Sequence, residues 1–149
     1  MYKKILVAID ESKQSKYALS EAIKLSKIHK SSLIIIHIEN EYYDPQIGPF
    51  ILPEEYENYL RKKGKRILNN AEKIARKSKL KIKTRLIELR SVKERISEII
   101  VDEARRSRAN LIVLGTHGRR GLHRIFMGSV AEGVIRISPI PVLLVRTKK

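Results

Sequence analysis

The chain has 149 residues, 42% of them hydrophobic, which is the length of one domain and enough apolar material to bury a core without disulfide or metal staples. It contains no cysteine, so disulfides and Cys-based metal sites are excluded and a reducing compartment is permitted. The formal net charge of +16 favours nucleic acid, an anionic membrane or a polyanionic small molecule as partner; it carries no information on the fold, and a solvated basic surface accounts for it equally well.

The opening MYKKILVAID has an apolar run of only a few residues, short of a signal-peptide core and far below the ~20 residues of a membrane span. A cytoplasmic protein with no membrane attachment is the expectation. Residues 4–9, KILVAI, read as a strand buried on both faces. After Asp10 the apolar spacing changes: Ala18, Leu19, Ala22, Ile23 and Leu25 recur at helical intervals and predict an amphipathic helix over 13–29. SLIIIHI, residues 32–38, is the second strand. Residues 39–53 hold Pro45, Gly48, Pro49 and Pro53 and predict an irregular segment, with room to close over a ligand as a lid.

Pro53, Glu54 and Glu55 mark a helix start, since proline suits the first turn and carboxylates favour the positive end of the dipole. Leu60, Gly64, Ile67, Leu68, Ala71, Ile74 and Ala75 define one face of that helix. KIKTRLIEL, residues 81–89, alternates like a partly exposed third strand. Ser91 and Glu94 have capping-box spacing ahead of a helix striped by Ile96, Ile99, Ile100 and Ala104. NLIVL, residues 110–114, is a fourth buried strand. Ser129 and Glu132 form a second capping box, opening a helix to about Ile137, and Pro141 leads into a last strand, VLLV. Strict β-α alternation over residues 1–149, with no linker or repeat, predicts one α/β domain: a parallel sheet with helices on both faces, because parallel neighbours need crossover helices.

In such sheets ligands bind beyond the carboxyl ends of the strands, where the strand order reverses. The first strand ends in Asp10. The fourth runs into GTHGRRGLHRIFMGS, residues 115–129, where Gly115 admits close backbone approach and Gly128 and Ser129 stand at a helix N-terminus that attracts anions. Arg119, Arg120, His123 and Arg124 lie between them. Taken singly, each residue has a structural explanation: Ser129 as a cap, Gly115 as a turn, Asp10 as a cap of the next helix, His117 as a solvated loop residue. Glycines at both ends of a basic run point instead to a cradle for an anion. The sequence has no G-x-x-x-x-G-K-[ST], no G-x-G-x-x-G after the first strand, no H-E-x-x-H and no G-x-S-x-G.

The chain resembles the universal stress proteins over essentially its whole length. VAIDES is similar to the family's opening strand and its acidic residue. GTHGRRGLHRIFMGSVAEGVIRISPIPVLLV matches the family's nucleotide signature: glycine, two residues, glycine, nine residues, glycine, serine, here Gly115, Gly118, Gly128 and Ser129. The resemblance implies an open five-stranded sheet in the order 3-2-1-4-5, of the adenine nucleotide alpha hydrolase type, with the first and fourth strand ends side by side. It implies ATP, or AMP or ADP, with Mg2+ or Mn2+. Ala8, Ile9 and Asp10 would line ribose and adenine, and Ile38 would meet the adenine edge through its backbone. Gly115, Gly118, Arg119, Gly128, Ser129 and Val130 would hold the phosphates, and Leu114 and His117 would also line the nucleotide site. It further implies a homodimer paired through VLLV and a nucleotide-dependent stress-response role with at most slow ATP hydrolysis. Arg90-Ser91-Val92 departs from the Gly-x-Pro turn of many relatives, adding a phosphate or ribose contact or narrowing the pocket.

Two other readings compete. Arg61, Lys62, Lys63, Lys65, Arg66, Lys73, Arg76, Lys77 and Lys79 supply the charge for a nucleic-acid-associated protein, but with aromatics at 5% of residues the binding would be weak, nonspecific and salt-sensitive. The other is a sensor of AMP or another adenylate.

Overall fold

Side chains two apart on a strand share a face, so runs as continuously apolar as KILVA and SLIIIHIE bury both faces at once. In the computed structural model, which describes residues 1–39, 43–44, 48–49, 54–89, 94–116 and 127–146, these runs are β1 (Lys4–Ala8) and β2 (Ser32–Glu39). With β3 (Ile82–Glu88), β4 (Leu111–Gly115) and β5 (Val142–Val145) they form a five-stranded parallel sheet in the order β3-β2-β1-β4-β5, the 3-2-1-4-5 arrangement implied by the resemblance.

Helices α1 (Lys13–His29) and α2 (Glu54–Arg76) cover one face of the sheet, and α3 (Ile96–Ser107) and α4 (Ser129–Ile137) the other. Ile5, Val7, Leu33, Ile35 and Val113 pack against Ala18, Leu19, Ala22, Leu68 and Ala71 of the first pair. Their strand neighbours Leu6, Ile34, Ile36 and Ile112 pack against Ile100, Val101, Ala104 and Val134 of the second. Each fully buried Leu, Ile or Val contributes roughly 1.5–3 kcal/mol, so the two cores are the main source of stability. As an edge strand β3 alternates between half-buried and exposed positions through Arg85, with Lys83 and Arg85 exposed, a charged edge that resists pairing with other chains.

Several local expectations are corrected. The segment expected to be irregular contains a two-residue antiparallel ladder, Tyr43–Asp44 with Gly48–Pro49; proline is tolerated there because so short a ladder makes few demands on its missing N–H. The remaining residues of 40–53 lie outside the described residues, and with them the lid expectation. Ile74, expected on the buried stripe of α2, is 55% exposed: it sits about 100° round the helix from Ala75, beyond the stripe's rim. No capping box opens α3. The helix starts at Ile96 with Arg95 as N-cap and no side-chain cap, so Glu94 precedes it, and Ser91 lies outside the described residues. Among the described residues no helix is long and apolar enough to cross a membrane.

Helix α4 lies close against α3 at Gly133, where an added Cβ would come within 2.7 Å of Ser97 Oγ and 2.8 Å of its Cβ. Two effects then compete in Gly133→Ala: overpacking costs about 1–3 kcal/mol, while alanine in a helix interior gains about 1 kcal/mol over glycine. In the parent protein overpacking dominates and urea midpoints fall. In a Ser97→Gly background the obstacle is gone, and the same substitution raises the midpoint; equal effects in both backgrounds would refute this packing account.

Candidate functional site

The strand order reverses between β1 and β4, whose carboxyl ends lie side by side: Val7 pairs with Val113 at the last recorded rung. β1 continues through Ile9 to Asp10 and then turns into α1. The turn is a closed set of hydrogen bonds: Ser12 N–H donates to Asp10 Oδ1 at 2.8 Å, Asp10 N–H donates to Ser15 Oγ at 2.8 Å, and Ser15 N–H donates to Ser12 Oγ at 3.1 Å. Ser12 is therefore the N-cap of α1 and Asp10 braces the turn ahead of it.

On the β4 side, Thr116 N–H donates to the Val145 carbonyl at 3.1 Å and the Thr116 carbonyl accepts from Gly128 N–H at 2.8 Å. The chain that leaves β4 thus returns to within one hydrogen bond of its exit, bringing the N-terminus of α4 to the end of β4. That terminus presents its positive dipole end toward the same region.

At the end of β2, ladder alternation turns the backbone groups of Leu33 and Glu39 toward β3, where Leu33 N–H meets the Lys81 carbonyl and Leu89 N–H meets the Glu39 carbonyl. The groups of Ile36 and Ile38 turn toward β1. Ile9 N–H donates to the Ile36 carbonyl at 2.9 Å. The next rung would join Ile38 N–H to the Ile9 carbonyl; it is not formed, and His37 Nδ1 meets that carbonyl at 2.8 Å instead. A carbonyl only accepts, so Nδ1 carries the proton. His37 and Glu39 are each 1% exposed, with Nε2 and Oε2 3.7 Å apart. Helix α2 fits over the ring because Gly64 has no side chain: a Cβ there would lie 3.2 Å from His37 Cδ2 and 2.6 Å from Leu86 Cδ1. Lys63, beside it, pairs with Glu11 at 3.2 Å, linking α2 to the turn after β1.

Of the residues expected at the site, Ala8, Ile38, Leu114 and Val130 converge on the apolar core of the α3–α4 face, so strand ends and α4 meet there. Asp10, Gly115 and Gly128 are half-buried at the same end, and Ser129 is exposed. Ile9 differs: its side chain is buried among residues of the α1–α2 face, leaving only its backbone at the crevice. His117, Gly118 and Arg119 lie outside the described residues, as do Arg120, His123, Arg124 and Arg90-Ser91-Val92. Ser129 is not the cap of α4. The N-cap is Gly128, which has no side chain to offer; Ser129 is the first helical residue, and Glu132 turns its carboxylate to Arg136 at 2.8 Å. Gly115 has a structural reason of its own: a Cβ there would meet Gln14 Cβ at 2.8 Å and the Gln14 backbone carbon at 3.1 Å, so it lets the first turn of α1 lie against β4.

His37, Glu39 and Thr116 went unread in the sequence, and Gly64 was read only as part of the buried face of α2. A lone histidine inside SLIIIHI is the one signal that stood out from its surroundings. A cavity of about 730 Å³ lies at the other end of the strands, lined among others by Lys4, Ile34, Lys83 and Arg85; its Arg85 is already paired with Glu103 at 2.7 Å. No cluster of three His, Cys, Asp or Glu suited to a metal occurs among the described residues.

Residues 1–146 match the family model described as the Universal stress protein family. The chain is 34% identical over 155 residues to Universal stress protein MJ0531 of Methanocaldococcus jannaschii, covering all of this chain and 85% of the relative. Among solved structures it is similar to hypothetical protein MJ0577, with a TM-score of 0.83 and 30% identity over 100% of this chain and 99% of the other. It is also similar to a universal stress protein in complex with cAMP, with a TM-score of 0.67 and 25% identity over 99% of this chain and 98% of the other.

Two stability measurements test this geometry. Gly115→Ala pushes a Cβ against the backbone of α1 and is expected to cost about 1–3 kcal/mol in urea unfolding. Ser12→Ala removes a side-chain cap and is expected to cost about 1 kcal/mol, while Ser129→Ala, which removes none, stays within about 0.5 kcal/mol of the parent. A larger loss at Ser129 than at Ser12 would restore the capping box that the structure lacks.

Proposed function

The chain belongs to the universal stress protein family, and we propose that it binds an adenine nucleotide, ATP above all, in the crevice between the ends of β1 and β4. The observation that carries this reading is the unfinished ladder: Ile38 keeps a backbone donor and acceptor turned toward the place β1 leaves after Ile9, the pairing edge that an adenine ring requires. The residues fit such a ligand. Ala8, Leu114 and Val130 supply an apolar wall for the base, Asp10 stands where ribose hydroxyls would lie, and the α4 N-terminus at Gly128, Ser129 and Val130 faces the phosphates. Gly128 has φ −65° and ψ 147°, angles any residue adopts, so its bareness serves room for the ligand rather than the chain's conformation. The cAMP complex of a relative supports the adenine class. Gly115, His117, Gly118 and Arg119 complete the cradle on the strength of the signature spacing.

A divalent ion, Mg2+ or Mn2+, would accompany the phosphates, and Asp10 is a carboxylate that could serve either it or the ribose. The nucleotide acts as a bound signal in a stress response, with at most slow hydrolysis: Asp10 braces the α1 turn and Glu11 pairs with Lys63, so neither is set to position an attacking water. The protein works in the cytoplasm as a homodimer through the open edge of β5, where Leu143 is 36% exposed and Ile135 and Ile137 of α4 are 46% and 41% exposed. Polyanion binding by α2 is secondary and weak. Arg61, Lys63 and Arg76 are engaged by Glu88, Glu11 and Glu72, which reduces the charge α2 offers. AMP is the second candidate ligand, since the base and ribose contacts are the same.

Calorimetric titration with Mg-ATP decides the matter. The parent protein binds, and Gly128→Val, which fills the cradle, loses at least about tenfold in ATP affinity while keeping its affinity for adenosine. Equal ATP affinity in the two proteins removes the cradle assignment, and mass spectrometry of the molecule that copurifies separates ATP from AMP.

A further inference from the structure

We infer that His37 is a positioning residue for the nucleotide crevice: it ends the β1–β2 ladder one rung early and so keeps the Ile38 backbone available to a ligand. The inference rests on the adenine-nucleotide reading above for its role, but its structural content stands apart from any ligand.

A parallel ladder continues rung by rung when nothing stops it. Ala8 pairs with Ile36, and Ile9 N–H reaches the Ile36 carbonyl, so register and direction are set for the Ile38 N–H to take the Ile9 carbonyl next. A buried amide left unpaired costs about 1–3 kcal/mol, which favours that rung. The bond is nonetheless absent between these two described residues. What occupies the carbonyl is the ring of His37, the residue just before Ile38, at 2.8 Å and 1% exposure. The ring reaches it from the α1–α2 face, the face on which Ile9 is also buried, and α2 holds the ring down through the bare Cα of Gly64. β1 can therefore leave β2 at Ile9 with its carbonyl satisfied, Asp10 is delivered to the α1 turn, and the Ile38 groups are left facing the gap that opens.

Asparagine and glutamine separate this role from simple core packing. Asn Nδ2 is as many bonds from Cβ as His Nδ1 and can donate to the Ile9 carbonyl; Gln Nε2 is one bond farther out. Both are polar and similarly unwelcome in a core. In His37→Asn the affinity for Mg-ATP, AMP and adenosine is expected to stay within about twofold of the parent. In His37→Gln all three fall together by about tenfold, because the loss is at the base end, in contrast to the ATP-selective loss in Gly128→Val. Parent-like affinity in both variants, or an equal loss in both, overturns the proposal.

Amide hydrogen exchange on the ligand-free protein tests the same idea without a nucleotide. Ile38 is expected to exchange faster than Ile36 in the parent and in His37→Asn, and to become protected in His37→Gln as the extra rung forms. Long-range proton–nitrogen NMR is expected to show the Nδ1–H tautomer of His37. An Ile38 amide as protected as that of Ile36 in the parent overturns the proposal even if adenine nucleotides bind. Adenine compounds failing to bind the parent, with the exchange pattern as expected, would overturn only the ligand reading.

Discussion

Right-handed crossovers are the constraint from which the rest of this molecule follows. A strand with right-handed twist, followed by a helix and a parallel strand, returns to the sheet with one hand only. From a central β1 the chain moves outward through β2 to β3 with α1 and α2 on one face, then crosses back to β4 and β5 with α3 and α4 on the other. The strands that flank the reversal, β1 and β4, lead into helices on opposite faces. Among the described residues no helix bridges the gap between their ends, and a reversal of this kind opens a crevice before any side chain is chosen. The side chains decide whether the crevice stays open and what it can receive. Asp10, Ser12 and Ser15 tie β1 to α1 on one wall, and the Thr116–Gly128 bond ties β4 to α4 on the other.

The two walls are not independent. α1 is anchored by the turn after β1 but lies against β4 at Gly115, so the helix that leaves one wall also braces the other. α2 reaches back to the first wall through Lys63–Glu11 and through the fit of Gly64 over His37. Glycine thus serves close approach between elements at Gly64, Gly115 and Gly133 alike, whatever a ligand asks of the others. Charge acts differently. The described ion pairs are mostly exposed and contribute little each. The surplus of +16 acts as a long-range field that raises the local concentration of anions and falls with salt.

What the sequence disclosed and withheld divides along the range of the interactions. Period-two and 3.6-residue patterns report burial, and burial decided the strands and helices; even the partly exposed alternation of residues 81–89 is that of β3, which the sheet places at its edge. Capping boxes failed because they are local spellings of a start that tertiary packing sets: Ser91–Glu94 precedes a helix that begins only at Ile96, and at α4 a glycine takes the position assigned to Ser129. The role of Gly115 was legible as small but not as small for α1, since its neighbour Gln14 is distant in sequence. His37 was the least legible. Its meaning depends on the Ile9 carbonyl, and nothing in either stretch alone names the other as partner.

The unfinished rung also bears on why such a crevice should be coupled to a ligand at all. Ile38 is 8% exposed, so its N–H is poorly served by water, and leaving it unpaired destabilises the folded state by about 1–3 kcal/mol. A ligand presenting an acceptor there returns that free energy on binding, in addition to its phosphate and apolar contacts. Binding and folding stability are then linked: the ligand stabilises the fold in proportion to RT ln(1 + [L]/Kd), about 2.7 kcal/mol at a hundredfold excess over Kd. On the nucleotide reading proposed above, stability would follow nucleotide concentration through the β1 and β2 ends. Those ends are tied to α1 by the Asp10 turn and to α2 by Lys63 and Gly64.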